Sequence, residues 1–412
     1  MSESPKKPGK TICIVSPDRD HYEKCMEHPE MFRKFLMQTW ERHPELFPGD
    51  FGVGFHFHSF VSSAKQDGFR MRRIRLKNGT ADVRQIRPSF MMPHMIAETD
   101  EVGKALFLRQ WGVPFDAPAH VFGHDAMFWH RACVSLGRSS VVGTTIKDTD
   151  LLPNHVLADE KHTRIRGDKA YVTMTAAQDC VPGAGLAGNA GAEALTEGYR
   201  DFREEAKNLG PDYETETVTA DGRGPTRKAW EGLFPGIRTV LCFLRSFLSI
   251  KNRCRRSGSI LRSVGEKVWN ACHSDTPAQF SQRIRRLRER AESRLAPGPP
   301  GDKVPELCGR AWNFRIAFPK ADVPRTGNMI DRLMNHQDRV LHAMQYFHGT
   351  KESAVLCLRS MSLIWNFHPY GTRTRNNHPG RSSPSEDLNG FHCHENWLQN
   401  MLVAASMRGC RA

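Results

Sequence analysis

No apolar run in the 412 residues reaches the roughly 18 needed to cross a bilayer. The best candidate, "TVLCFLRSFLSI", is interrupted by Arg245, so no membrane span is expected. Paired cysteines are missing too. The eleven Cys, an odd number, are scattered without any C-x-x-C pair, which fits reduced, mostly buried thiols and argues against a disulfide framework or a zinc ribbon. A secretion signal is not expected either: "MSESPKKPGK" is polar with no apolar stretch behind it, so residues 1–10 read as a disordered tail and the chain is expected in the cytoplasm. No internal repeat is visible. Acid is in short supply, with 45 Asp and Glu against 59 Lys and Arg, a net charge of +14 and a pI near 9.4. That balance suits a polyanionic partner, nucleic acid ahead of an anionic membrane.

What is present suffices for real cores: 39% hydrophobic residues and eight Trp, in a length that usually means two or three domains. Residues 11–95 form a mixed region with a basic hairpin that turns at Asn78-Gly79. His56 and His58 alternate on a strand, and without a Cys or carboxylate at ligand spacing they read as ordinary strand histidines. Over 96–148, apolar spacing after Thr99 and Asp100, a short helix at 116–122, Gly123 and "HDAMFWHRACVSLG" give a helix-turn-helix pattern. If it binds DNA, its last helix offers His124, His130 and Arg131 to bases or phosphates; the alternative is a helical subdomain that only packs.

From 150 to 244 the period changes. "HVLADE", "KAYVTMTAAQ" and "GAGLAG" read as strands, with turns at "RGD" and "DCVPG". An amphipathic helix ending at Gly210, a strand at "ETETVTADG", a helix with Pro225 near its start and a strand at "IRTVLCFL" follow. Three strands, helix, strand, helix, strand is the order of a ribonuclease H-like α/β core. Residues 245–324 form a basic helical insertion closed by the linker "APGPPG". Its Arg-rich faces are solvated surface or phosphate contacts. Residues 325–412 return to helical pattern, complete the core and end in a helix from about Glu395 to Met407.

In such a core Asp159 projects from the central strand beside the end of the strand carrying Asp221, and an acid on a later helix completes a cluster. Carboxylates suit phosphoryl transfer because Mg²⁺ prefers hard oxygen ligands and keeps waters, and two ions about 3.5–4 Å apart can serve both the attacking and the leaving oxygen. Each acid has a plainer reading. Glu160 sits next to Asp159 and a one-residue slip would exchange them. Asp221-Gly222 is a turn signal. Asp331 has Arg332 and Arg339 near for a surface ion pair. Glu386 and Glu395 are rival third acids. In "FHCHE", His392, Cys393 and His394 stand too close together for a tetrahedral zinc site without other partners, and His348 reads as structural.

The stretches "LADEKHTRIRGDKAYV", "ADGRGPTRKAWEGLFP", "NMIDRLM", "QYFHG", "SLIWNFHP" and "SPSEDLNGFHCHENWLQN" resemble prokaryotic insertion-sequence transposases of the DDE type. The layout is similar to the Mutator-like branch, where a helical insertion separates the second and third acids. The resemblance runs from about residue 85 to the C-terminus. It implies a ribonuclease H-like catalytic domain, dependence on Mg²⁺ with Mn²⁺ as substitute, binding to element ends carrying inverted repeats and to target DNA, and strand transfer from a free 3′-hydroxyl. It further implies at least a homodimer on DNA, a nucleoid-associated location, and Asp159, Asp221 and Asp331 as catalytic, metal-holding acids.

The chain departs from that pattern at three places. Relatives usually carry Glu where Asp331 stands, and Asp is one methylene shorter. Relatives tend to have His three residues after the Cys of "LCFL", a His that the resemblance implies grips DNA; this chain has Arg245 there, which is expected either to hold DNA by charge instead or to leave the copy impaired. They favour an aromatic where Arg223 follows "DG". Three readings therefore stand: a transposase, a decayed copy that only binds DNA, and a ribonuclease H-like nuclease. The helix-turn-helix pattern and the long insertion favour the first over the third, and Arg245 and Arg223 keep the second alive.

Overall fold

Two mixed sheets, among the described residues, organise the chain. The computed structural model describes residues 9–410 except 17, 64, 66–67, 254–257, 295–298 and 321. The tail expected over 1–10 therefore lies mostly outside the described residues. Gly9 is tied down, its N–H donating to the Met407 carbonyl at 2.8 Å.

The first sheet contains β1 (Thr11–Ile14), β2 (Phe55–Ser62), β3 (Arg70–Leu76) and β4 (Val83–Pro88) in the order β1-β4-β3-β2. β1 is parallel to β4, and β2, β3 and β4 form an antiparallel meander. The basic hairpin is β3–β4, and Gly79 adopts φ +76° in its loop. His56 and His58 both lie on the exposed face of β2. Helices Arg19–Glu27 and Pro29–Arg42 send Tyr22, Phe32 and Leu36 into a core with Ile12, Ile74 and Ile86. Helices Thr99–Gln110 and Ala126–Leu136 add Val102, Leu106 and Trp129 to the same core, and Asp116–Phe122 packs Ala119 and Phe122 against it.

The second sheet holds β5 (His155–Ile165), β6 (Asp168–Ala177), β7 (Cys180–Ala187), β8 (Thr217–Ala220) and β9 (Arg238–Leu241) in the order β7-β6-β5-β8-β9. β5, β6 and β7 are antiparallel neighbours, and β8 and β9 run parallel to β5. One expected boundary moves: Cys180, Val181 and Pro182 belong to β7 and not to a turn. The hairpin closes at Gln178-Asp179, both with positive φ (50° and 60°). Two such residues give a turn whose twist matches the flanking strands, and here no glycine marks it in the sequence.

Helices cover both faces of this sheet. Ala192–Leu209 and Gly224–Leu233 pack Leu195, Tyr199, Phe202 and Trp230 on Val156, Ala158 and Val218. Here helix and strand come so close that a Cβ on Gly185 would lie 2.1 Å from the Gly198 carbonyl oxygen. Asn328–Ala343 and Lys351–Phe367 bring Ile330, Leu333 and Leu358 onto Leu157, Val172, Met174 and Leu186.

The insertion leaves the core at Phe243, whose N–H donates to the Arg325 carbonyl at 3.0 Å. Its two ends are thus side by side, and its helices enclose a core of their own built on Val268, Phe280, Ile284, Leu307 and Phe314. The expected linker "APGPPG" is corrected in its second half: Pro299 and Pro300 open the helix Pro299–Gly309, where a missing N–H costs nothing. Residues 295–298 lie outside the described residues. The chain's last part leaves the second sheet. Helix Trp397–Ala404 packs Leu398, Met401 and Leu402 into the core of the first sheet, and Ser406 Oγ accepts from Cys13 N–H at 3.1 Å.

Arg359, on helix Lys351–Phe367, is 1% exposed and joins the two halves. Its guanidinium donates to the carbonyls of Gly137 (2.8 Å) and Ser139 (2.7 Å) and to Asp201 (2.8 Å), and it pairs with Glu205. Glu205 in turn accepts from Ser140 Oγ and from the N–H groups of Val141 and Val142. Removing the cation strands a buried carboxylate. Arg359→Ala is expected to lower the unfolding free energy by about 3–5 kcal/mol in urea titrations, and a loss under 1 kcal/mol would show that the pair is not structural.

Candidate active site

Strand register places the acids. In β5, Leu157 pairs with Thr219 of β8, so continuing that register sets Asp159 opposite Asp221 just past the end of β8. Side chains alternate along a strand, and the cores prove which face is which. Leu157 packs under helices Asn328–Ala343 and Lys351–Phe367, whereas Ala158 packs under Ala192–Leu209. Asp159 accordingly shares the Leu157 face and Glu160 the Ala158 face.

Glu160 is taken up by that second face. Tyr199 Oη donates to its Oε1 at 2.7 Å and Thr226 Oγ1 to its Oε2 at 3.0 Å. Neither partner was evident from the sequence pattern. The rival third acids are also engaged elsewhere: Glu386 accepts from Ser382 N–H and Oγ, and Glu395 is 92% exposed beside His392.

Asp221 sits in the expected Asp-Gly turn. Gly222 has φ +86°, and a Cβ there would come within 2.4 Å of Leu241 Cδ2, so only glycine fits. The Asp221 carboxylate accepts from Arg223 N–H (3.1 Å) and pairs with Arg223 Nε (2.8 Å). Arg310, from the insertion, reaches the Gly222 carbonyl at 3.5 Å, a contact that no sequence signal announced.

Asp331 arrives from the far side of the insertion. Gly327 N–H donates to Cys242 Sγ at 3.0 Å and Thr219 Oγ1 to the Pro324 carbonyl at 2.8 Å, which fixes the returning chain against β8 and β9. Helix Asn328–Ala343 starts there and carries Asp331 in its first turn. The surface pair expected with Arg332 or Arg339 does not form: Arg332 pairs with Asp179, and Arg339 meets His336. Asp331 Oδ1 instead lies 3.1 Å from Arg245 Nη2, and the same nitrogen is 2.6 Å from Asp159 Oδ2. Arg245 thus bridges two of the acids.

Burial pushes the Asp159 carboxyl above its ordinary value, Asp221 and Asp331 add to that, and the Arg245 charge pulls the other way. Burial works against the Arg245 charge, but Asp159, Asp331 and Asp221 outweigh it and hold the guanidinium above its ordinary value. All three acids therefore act on one cation.

Three carboxylates are oxygen donors of the kind Mg²⁺ and Mn²⁺ take. In kind they fit. Among the described residues, however, their oxygens do not all close to within 4.8 Å, and the gap between Asp159 and Asp331 holds the guanidinium. The trio that does close to that distance is His43, Glu45 and Cys393, the last from the "FHCHE" stretch. His43 and Glu45 already pair at 3.1 Å, and burial pushes the Cys393 thiol up to about 12, against the thiolate a zinc ion requires. His348 bonds the Met344 carbonyl in the loop that follows helix Asn328–Ala343.

The residues of the helix-turn-helix pattern lie apart. His124 is exposed and stacks on Phe128 with centroids 4.0 Å apart; Arg131 is exposed, 4.0 Å from Asp125. His130 is half-buried edge-on to Phe115, and burial lowers its pKa, with Arg109 and Arg131 adding to the effect. Their partners all belong to the helical region itself. Compared with known proteins, the chain matches no family model and no curated protein. No helix among the described residues is long and apolar enough to cross a membrane.

Glu160 offers a clean pH test. Burial raises its carboxyl, with hydrogen bonds from Tyr199 and Thr226 opposing, so the folded state holds this proton more tightly than the unfolded one. That contribution to stability is full below the unfolded value and is lost as pH rises through the folded one. Glu160→Gln has no such loss and is expected to gain on the wild type in denaturation curves as pH rises above about 4, the ordinary Glu range. A difference that stays flat with pH would overturn this assignment.

Proposed function

We propose that the chain is a DDE-type DNA transposase on a ribonuclease H-like core, which nicks the ends of its element and joins the freed 3′-hydroxyl to target DNA. The observation that carries this reading is the convergence of Asp159, Asp221 and Asp331. They come from three elements far apart in sequence, the middle of β5, the residue just past the end of β8 and the first turn of a helix, and meet on a sheet ordered β7-β6-β5-β8-β9. Plain structural acids do not need such a meeting, because each could be satisfied by a nearby surface cation.

A divalent ion held by Asp159 and Asp221 would supply charge stabilisation to the phosphate and acidity to an attacking oxygen. The chain's own residues do the positioning. Asp159 Oδ1 accepts from Glu160 N–H at 2.9 Å, which fixes the carboxylate plane and leaves Oδ2 toward the cluster. Arg223 and Arg245, both partly exposed, stand at the rim where a phosphodiester approaches. Arg285, Arg286 and Arg288 on helix Pro277–Arg294 are exposed and offer phosphate contacts from the insertion, which position DNA without reading its sequence. His124 and Arg131 are candidates for reading the ends. Two ends must be paired inside the cell, which implies a dimer or larger assembly on DNA.

A second reading, a DNA-binding protein without catalysis, draws on one observation: Arg245 and Arg223 already neutralise the acids. One assay separates the two. Purified protein is incubated with Mg²⁺ or Mn²⁺, plasmid target and a labelled duplex carrying the inverted repeat that flanks its gene, beside Asp159→Asn. Joined product from the wild type, reduced about 100-fold or more in the variant, is the expected result. Binding of the duplex with no joining under either metal would favour the non-catalytic reading.

A further inference from the structure

The gap between Asp159 and Asp331 is where two carboxylates from different elements face each other, and a protein cation fills it. One nitrogen, Arg245 Nη2, lies 2.6 Å from Asp159 Oδ2 and 3.1 Å from Asp331 Oδ1. Magnesium binds oxygen at about 2.0–2.1 Å and demands near-octahedral ligands, so it cannot share a gap with a guanidinium that already takes one oxygen from each acid. A second cation in that space would also meet a charge that no accessible pH removes.

We infer that Arg245 is the resident cation of the Asp159–Asp331 gap, so that the chain takes one divalent ion, on the Asp159–Asp221 side, and a second enters only by displacing the guanidinium. The inference rests on the reading of the three acids as a cation-holding group and names how that group is regulated.

Three features support a competing role over a merely structural pair. Arg245 is 41% exposed, so it can swing out to solvent without unmaking a core. It answers to two acids at once, whereas Arg223 answers to Asp221 alone and is 55% exposed, which makes Arg223 the weaker competitor. Its helix, Phe243–Arg253, begins at the joint where the insertion leaves β9, and the returning chain is pinned at that same joint by the Phe243–Arg325 hydrogen bond. Movement of the insertion, for example on binding DNA, would therefore move the cation relative to the acids. A DNA phosphate arriving at the rim also offers the guanidinium a bidentate alternative partner.

The test uses metal binding without DNA, so that it stands apart from the strand-transfer assay. The full chain, Arg245→Gln, Arg245→Lys and Asp159→Asn are titrated with Mn²⁺, with free ion read by electron paramagnetic resonance, after circular dichroism has verified the fold of each. The wild type is expected to bind one Mn²⁺ per chain in the lower range of concentration. Arg245→Gln is expected to bind a second, or to bind about tenfold more tightly. Arg245→Lys keeps the charge and is expected to remain at one, and Asp159→Asn to lose the tight ion. Two ions of equal affinity on the wild type, or a Gln variant with wild-type stoichiometry and affinity, would overturn the inference. Joining activity could fail while this pattern holds, in which case only the transposase reading falls.

Discussion

Three carboxylates near one another repel, and each one that is partly removed from water pays more for its charge. Asp159 is only 12% exposed and has Asp221 and Asp331 as neighbours, so the cluster persists only with a cation in it. Arg245 is that cation, and much of the local architecture serves to bring it and Asp331 to the same place. The Cys242–Gly327 and Phe243–Arg325 hydrogen bonds join the exit and return of the insertion, and the helix bearing Arg245 and the helix bearing Asp331 start from that joint. Cut that joint and the acids lose both their third member and their counter-charge.

The sheet imposes the complementary constraint. Asp159 and Glu160 are chemically almost interchangeable, yet alternation along β5 sends one to the cluster and the other to Tyr199 and Thr226. The register is held firmly because both faces of β5 are covered by apolar helices, and a one-residue slip would place Leu157 and Ala158 on the wrong cores. A polar pocket tailored to Glu160 adds a further reason for the same register, since a carboxylate in the Tyr199–Thr226 pocket is satisfied and one elsewhere on that face is not.

Much of this was legible in the residues. The order of strands and helices from 155 to 241 followed from a change of hydrophobic period, and the long interval after Asp221 signalled the insertion. The Asp-Gly turn was legible because only glycine tolerates the positive φ at 222. Illegible were features decided by distant parts of the chain. Gln178-Asp179 makes a hairpin turn without glycine, so the start of β7 was misplaced by three residues' worth of apparent loop. Trp397–Ala404 packs on the first sheet because Leu398 and Met401 complete a core begun almost at the other end of the sequence, a pairing that periodicity cannot express. Arg245 was visible as an odd residue, but its bond to two acids depends on a tertiary meeting that no local pattern encodes.

The excess of basic residues takes on a different meaning beside the cluster. A net charge of +14 favours a polyanion over the surface as a whole, but on the proposed reading a phosphodiester would have to approach the acidic cluster itself. Such an approach is unfavourable unless positive charge stands nearer to the phosphate than the carboxylates do. Arg223, Arg245 and Arg310 stand around the Asp159–Asp221 edge, with Arg332 on the neighbouring helix. The Debye length is only about 8 Å at physiological salt, so charges beside the cluster would act on an approaching phosphate while distant Lys and Arg are screened. On that reading, long-range attraction and local admission are separate tasks that would fall to separate residues. Substitutions on the insertion's exposed arginines should weaken encounter without altering the cluster, whereas changes at Arg245 alter what the cluster itself can hold.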